Sequence, residues 1–386
     1  MTKHLFFILL FLSVNILSCQ EAKSPERTVV KANKTHEVEA ITYNPDSTKE
    51  VKNIIFLIGD GMGLTQVYAG MTANRGKLYL ENMPYIGMIK TYSSDAYITD
   101  SAAGATAFSA GKKTYNGAIG VDKDGKSIKT ILEIAEEQGK ATGLVATSSI
   151  THATPAAFIA HQLKRSMQEE IASDFLNTDI DLFIGGGKQF FANRGDGKDL
   201  TTTLKEKGYQ VVYSMEELVP LASGKIAALT ADDANPKYSE GRGDMLPQAT
   251  EKAIEVLSKN EEGFFLMVEG SQIDWGGHAN DIQYVIDEML DFDRTIAKAL
   301  AFAAQDQQTL VVVTADHETG GLTLNGGNIG SGEVEAKFTS GGHTSVAVPV
   351  YAFGPKAEIF AGFYENTAIF EKFLEAYKFQ LITVSN

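Results

Sequence analysis

From Asn53 onward the chain alternates short, unbroken apolar runs with longer stretches in which apolar residues recur every three or four places. Runs at 53–58, 143–147, 181–185, 264–268, 310–314 and 346–353 are rich in Ile, Val, Leu and Phe and bounded by turn residues. Continuous apolar runs of this length mark strands covered on both faces of a mostly parallel sheet. Helical spacing predicts helices over 127–138 and 281–304, the latter through Ile282, Val285, Ile286, Met289, Leu290 and Ile296. The class is therefore α/β. Residues 186–245 carry the weakest pattern and read as surface insertions. Three of the runs end alike, in Gly59-Asp60-Gly61, in Glu269-Gly270 and in Ala315-Asp316-His317. Parallel sheets collect functional groups at the carboxyl ends of their strands, so these acidic residues are expected to meet at one edge.

The first residues have a different character. Lys3 precedes an apolar stretch from Leu5 to Leu12 that continues through Val14, Ile16 and Leu17, too short for a membrane span and right for the core of an export signal. Ile16-Leu17-Ser18-Cys19 follows and is similar to a bacterial lipobox, whose cysteine is acylated after cleavage. Residues 1–18 are thus read as a lipoprotein-type signal, 19–50 as a polar tether and 51–386 as one catalytic domain, exported to the periplasm or cell surface with a lipid anchor at Cys19. The other reading of the same residues is a plain secretory signal with an incidental Cys. Cys19 is the only cysteine, so no internal disulfide can stiffen the domain. Among 386 residues, 44% apolar and 22% charged, a folded core is assured. The excess of 49 acidic over 34 basic residues leaves −15, which excludes a nucleic-acid scaffold. An anionic substrate would then need a strong local positive centre.

His4 falls in the signal and His36 in the tether, leaving five histidines for the fold. Asp274 and His278 stand four places apart, Asp316 and His317 are adjacent, and His343 follows two glycines. Oxygen and nitrogen donors without cysteine suit a hydrolytic zinc site. Asp100-Ser101 opens a run of Ala and Gly, where a helix N-terminus would favour an anion and small side chains would let a substrate approach the backbone. A serine there is ordinarily a cap, but beside a metal its hydroxyl becomes a nucleophile. Arg165 follows Thr151-His152-Ala153-Thr154-Pro155, and its planar fork fits two phosphoryl oxygens at once.

Taken together these residues resemble the bacterial alkaline phosphatases from about Asn53 through Pro355. The resemblance rests on Asp60-Gly-Met-Gly63, Thr99-Asp-Ser-Ala-Ala103 continuing to Lys113-Thr-Tyr-Asn-Gly117, His152-Ala-Thr-Pro155, Glu269-Gly-Ser-Gln-Ile-Asp274, Thr314-Ala-Asp-His-Glu-Thr-Gly-Gly321 and Gly342-His-Thr344. It implies a three-layer α/β/α sandwich with a large, mostly parallel sheet and hydrolysis of small phosphate monoesters through a phosphoserine at Ser101. It implies that Arg165 grips the phosphate and that Asp100 orients Arg165. One zinc would be held by Asp274, His278 and His343, and a second by Asp60, Asp316 and His317 beside Ser101. Magnesium would be held by Asp60, Thr154 and Glu269, with His152 near it. A homodimer is also implied, while His161 keeps a structural role.

Two positions depart from the best-known bacterial pattern. Many relatives carry Asp where this chain has His152, and an imidazole there weakens the preference for a hard cation, so the identity of the third metal stays open. Others carry Lys or His where Trp275 stands, and an indole offers phosphate only one N–H. The competing readings are a phosphodiesterase of the same superfamily, which commonly presents Thr in place of Ser101, and a non-catalytic metal- or phosphate-binding surface lipoprotein. The stretch between Gly321 and His343 is too short for a large inserted subdomain.

Overall fold

The computed structural model describes residues 28–43 and 49–379. The residues expected to form the export signal and the Cys19 anchor lie outside the described residues. A sheet of ten strands organises the chain in the order Gly362–Glu365, Tyr85–Lys90, Val348–Phe353, Thr309–Thr314, Asn53–Gly59, Phe264–Gly270, Ala141–Ser149, Leu182–Gly186, Ile226–Leu229 and Gln210–Val212. Only Val348–Phe353 runs against its neighbours. The central strands are buried along their whole length, which is why their sequences are continuous rather than alternating.

Helices cover both faces. On one, Leu64–Ala73 and Met245–Leu257 each pack on Ile282–Asp306. On the other, Ser101–Ala110, Ile131–Glu137 and Ala368–Tyr377 surround a ring cluster in which Phe56 meets Phe108, Phe158 and Phe373. The expected sandwich is therefore present.

Element ends follow local chemistry. The helix expected over 127–138 begins only at Ile131, because Thr130 Oγ1 accepts from Glu133 N and Glu133 Oε2 accepts from Thr130 N, a reciprocal cap. Asp281 caps the long helix by accepting from Gln283 N and Tyr284 N.

Two expectations change. Residues 186–245 are not mere insertions: they supply Gln210–Val212 and Ile226–Leu229, which extend the sheet by two strands. Strands of three and four residues are too short to show a period. The segment read as a tether docks in part. Thr28–Lys31 pairs with Glu333–Lys337, completing a three-stranded antiparallel sheet with Thr323–Asn328. Asn33 Nδ2 donates to Asp287 Oδ2 at 2.7 Å, and His36 Nε2 lies 2.8 Å from Asp293 Oδ2. A polar composition hid this docking because the contacts are themselves polar. Among the described residues no helix is long and apolar enough to cross a membrane.

Candidate active site

The parallel strands deliver their acidic ends to one edge, as their spacing predicts. Ile58 is in register with both Glu269 and Thr314, which sets Asp60, Glu269 and Asp316 side by side. All three are fully buried. The next strand, Ala141–Ser149, leads through a turn to His152 and the short helix Ala153–Ala156, which holds the buried Thr154. The helix Gln272–His278 places Asp274 and His278 one turn apart, and the two-residue pairing of Glu318–Thr319 with His343–Thr344 brings His343 across.

Hydrogen bonds orient the imidazoles. His343 Nδ1 donates to Thr99 O at 2.8 Å and His278 Nδ1 donates to Gly341 O at 2.8 Å, since a carbonyl can only accept. Both rings then present a bare Nε2, and these two atoms lie 3.1 Å apart, with Asp274 Oδ1 3.4 Å from one and 3.5 Å from the other. Facing lone pairs at that distance repel unless a cation is shared between them. His317 Nε2 likewise lies 3.4 Å from Asp60 Oδ1 and 3.3 Å from Asp316 Oδ2.

The buried oxygens make the same demand. Both Asp60 carboxylate oxygens, Glu269 Oε1 and Asp316 Oδ2 have no hydrogen-bond partner among the described residues. Unpaired buried carboxylates cost several kcal/mol each. Three sets of donor atoms stand close enough to share an ion: Asp274 with His278 and His343, Asp60 with Asp274 and His317, and Asp60 with His152 and Glu269. The donor chemistry fits divalent cations. One detail differs from the sets implied by resemblance: Asp274 reaches both of the groups expected to hold zinc, with Asp316 beside the second. His152, expected at the third ion, stands with Asp60 and Glu269.

Electrostatics without metal bear this out. Burial raises Asp60 well above the usual range, with Asp316, Asp274 and Glu269 adding repulsion. Burial lifts Glu269 to about 7 despite hydroxyls from Ser271, Thr154 and Ser148, and raises Asp316. Burial drives His317 down, and burial with the Arg165 charge takes His152 to about 3.

Ser101 opens the helix Ser101–Ala110 with its Oγ 3.3 Å from His317 Nε2. Asp100 is the cap, accepting from Ala103 N at 3.0 Å through one oxygen and from Arg165 Nη1 at 3.1 Å through the other. Arg165 Nη2 donates to His152 Nε2 at 3.2 Å, and the His152 ring meets Trp275 edge-on at 6.2 Å. A serine hydroxyl thus touches the histidine–carboxylate cluster, and the residue before it orients a guanidinium. The alkaline phosphatase family model matches residues 51–336.

The chain belongs to the alkaline phosphatase family. Alkaline phosphatase 3 of Bacillus subtilis is 38% identical over 86% of this chain and 90% of its own length. The alkaline phosphatase of Escherichia coli K12 is 33% identical over 84% and 85%. The solved alkaline phosphatase of the Antarctic bacterium TAB5 superposes with a TM-score of 0.82 at 47% identity, covering 86% of this chain and 99% of that one. The chain is accordingly an enzyme of this family, a phosphoric monoester hydrolase.

Within the family frame, His161 stands apart from the cluster, with Nδ1 on Gly120 O and Nε2 on Glu133 Oε1. Its structural role is visible in those bonds. Sequence spacing missed Ser148, Ser271 and Thr319, whose hydroxyls donate to Glu269 and Asp274. A buried hydroxyl has no periodic signature.

Proposed function

We propose that this alkaline phosphatase hydrolyses phosphate monoesters through a phosphoserine at Ser101, with two zinc ions and one magnesium ion. The observation that carries the reading is the position of Ser101 Oγ, at a helix N-terminus 3.3 Å from His317 Nε2 and one residue after Asp100, which holds Arg165. Asp274, His278 and His343 would hold one zinc, and Asp60, Asp316 and His317, with Asp274 alongside, the other. Asp60, Thr154, His152 and Glu269 would hold the third ion. Bound there, divalent metals supply Lewis-acid stabilisation of entering and leaving oxygens and lower the pKa of hydroxyls in contact. About +6 from three such ions and +1 from Arg165, against about −5 from the surrounding carboxylates, makes the pocket positive in an acidic protein.

The chain's own residues do the rest. Arg165, oriented by Asp100, binds two phosphoryl oxygens and sets phosphorus in line with Ser101 Oγ. Free N–H groups of the first helical turn complement the anion. Ser101 Oγ forms the new P–O bond as the ester P–O bond breaks, the alcohol leaving with the proton that Ser101 gave up. Water then cleaves phosphoserine, returning the hydroxyl and releasing phosphate.

The third ion is the finest point of the reading. Two solved variants of the TAB5 enzyme, in which a histidine is replaced by Asp or by Glu, are described with Mg bound in a site called M3. A histidine in this chain's third group supports the same competition between imidazole and hard cation. We also propose export with a lipid anchor at Cys19 and a homodimer. Hydrolysis of a chromogenic phosphomonoester at alkaline pH tests the function, before chelation, after it, and after zinc and magnesium are returned. Activity should vanish and recover; no activity in any metal-replete sample would refute it.

A further inference from the structure

Three histidines of the cluster present Nε2 to the site, but only two are held by carbonyls. His317 Nδ1 faces a hydroxyl, Thr319 Oγ1, at 3.2 Å. A hydroxyl can donate or accept, so its direction must be worked out from its other partner. Thr319 Oγ1 lies 2.5 Å from Asp274 Oδ1, and a carboxylate has no proton to give. The single hydroxyl proton of Thr319 therefore goes to Asp274, and its lone pair faces His317. His317 must then carry its proton on Nδ1, leaving Nε2 bare toward Asp60, Asp316 and Ser101.

We propose that Thr319 is a positioning residue that couples the two zinc-ligand groups, fixing the His317 tautomer in one and the Asp274 carboxylate in the other. Its backbone reaches the third component as well. Thr319 pairs with His343 in the short antiparallel ladder, its N–H donates to Gly61 O at 3.2 Å, and its carbonyl accepts from Gln66 Nε2 at 2.8 Å. The side chain is fully buried and tightly walled. A Cβ at Gly61 would come within 2.7 Å of Thr319 Oγ1, and one at Gly277 within 2.8 Å of Thr319 Cβ. Gly61, at φ +72°, is the residue next to Asp60, so the ligand-bearing turn closes directly over this hydroxyl. The proton order Thr319 to Asp274 and His317 to Thr319 is the arrangement in which both ligands offer lone pairs to metal. Outer hydrogen bonds of this kind tune affinity because they fix ring orientation and ligand basicity.

The inference rests on the zinc assignment above, and its test reads metal affinity rather than turnover. Full-length protein stripped of metal would be titrated with zinc against a chromogenic chelator, comparing the parent with Thr319→Val, which keeps the shape and loses the hydroxyl, and Thr319→Ser, which keeps the hydroxyl. The Val variant should bind roughly 10- to 100-fold more weakly, the scale for lost outer partners. The Ser variant should return toward the parent. Melting of the metal-free forms separates a packing role, which would lower both variants' melting temperatures and leave zinc affinity unmoved. Parent-like affinity in Thr319→Val, or equal losses in both variants, overturns the inference while leaving the function standing. A parent that binds no zinc overturns the function and the inference together.

Discussion

Ser101 and its neighbours divide the work so that each residue has a separate signature. If Ser101 is the nucleophile, Ser101→Ala should cut kcat by at least about 10³-fold, the scale of losing a nucleophile, while zinc stoichiometry stays unchanged. Loss of zinc with loss of rate would show instead that the hydroxyl is structural. Trp275 stands edge-on to His152, and at the proposed phosphate site an indole would supply only a flat face and one N–H. Trp275→Lys should bind inorganic phosphate more tightly, read as stronger product inhibition; equal or weaker inhibition in the variant would contradict the role given to the indole. At this scale the sequence was most legible where chemistry needs a rare residue in a fixed string, as at Asp60, His278, His317 and His343. It was silent on Thr319, because which hydroxyl partners a ligand depends on two strands meeting across the fold.

Elements were legible in proportion to their burial. Strands 53–59, 264–270 and 309–314 are buried throughout, and their apolar runs give them away. Tyr85–Lys90 and Gly362–Glu365, at the sheet's edge, are partly exposed and escaped notice. The segment from Thr28 to Ile41 shows the opposite failure: its polarity reads as freedom, yet it straps the long helix. Asp293, fully buried in side chain, takes His36 at 2.8 Å and the N–H groups of Tyr79 and Leu80 at 2.9 and 3.1 Å. Removing the imidazole would leave a buried carboxylate short of a partner, so His36→Ala should cost about 1–3 kcal/mol. Thermal unfolding of the metal-saturated protein measures this, and an unchanged melting temperature would mean the strap is not energetically docked.

Across the whole molecule, an acidic protein concentrates still more negative charge at one edge of its sheet and leaves those carboxylates unpaired. Metal therefore belongs to stability as well as chemistry. Chelation should lower the melting temperature, and an unaltered value would count against the cluster as a metal site. Protons compete with metal here. Burial raises Glu269 to about 7, so it takes up a proton in the metal-free fold as pH falls through that value, and burial pushes Asp60 and Asp316 above the ordinary carboxylate range as well. Affinity should fall as pH drops below about 7, and binding near pH 6 should release protons, visible in calorimetry as a dependence on buffer ionisation enthalpy. Buffer-independent heats would contradict these shifts. The central claim is the covalent intermediate, which can be caught directly. Metal-replete enzyme turning over a phosphomonoester would be quenched in acid and its peptides examined by mass spectrometry. Phosphate on Ser101 is the expected result; full turnover with phosphate on another residue, or on none, would contradict the account.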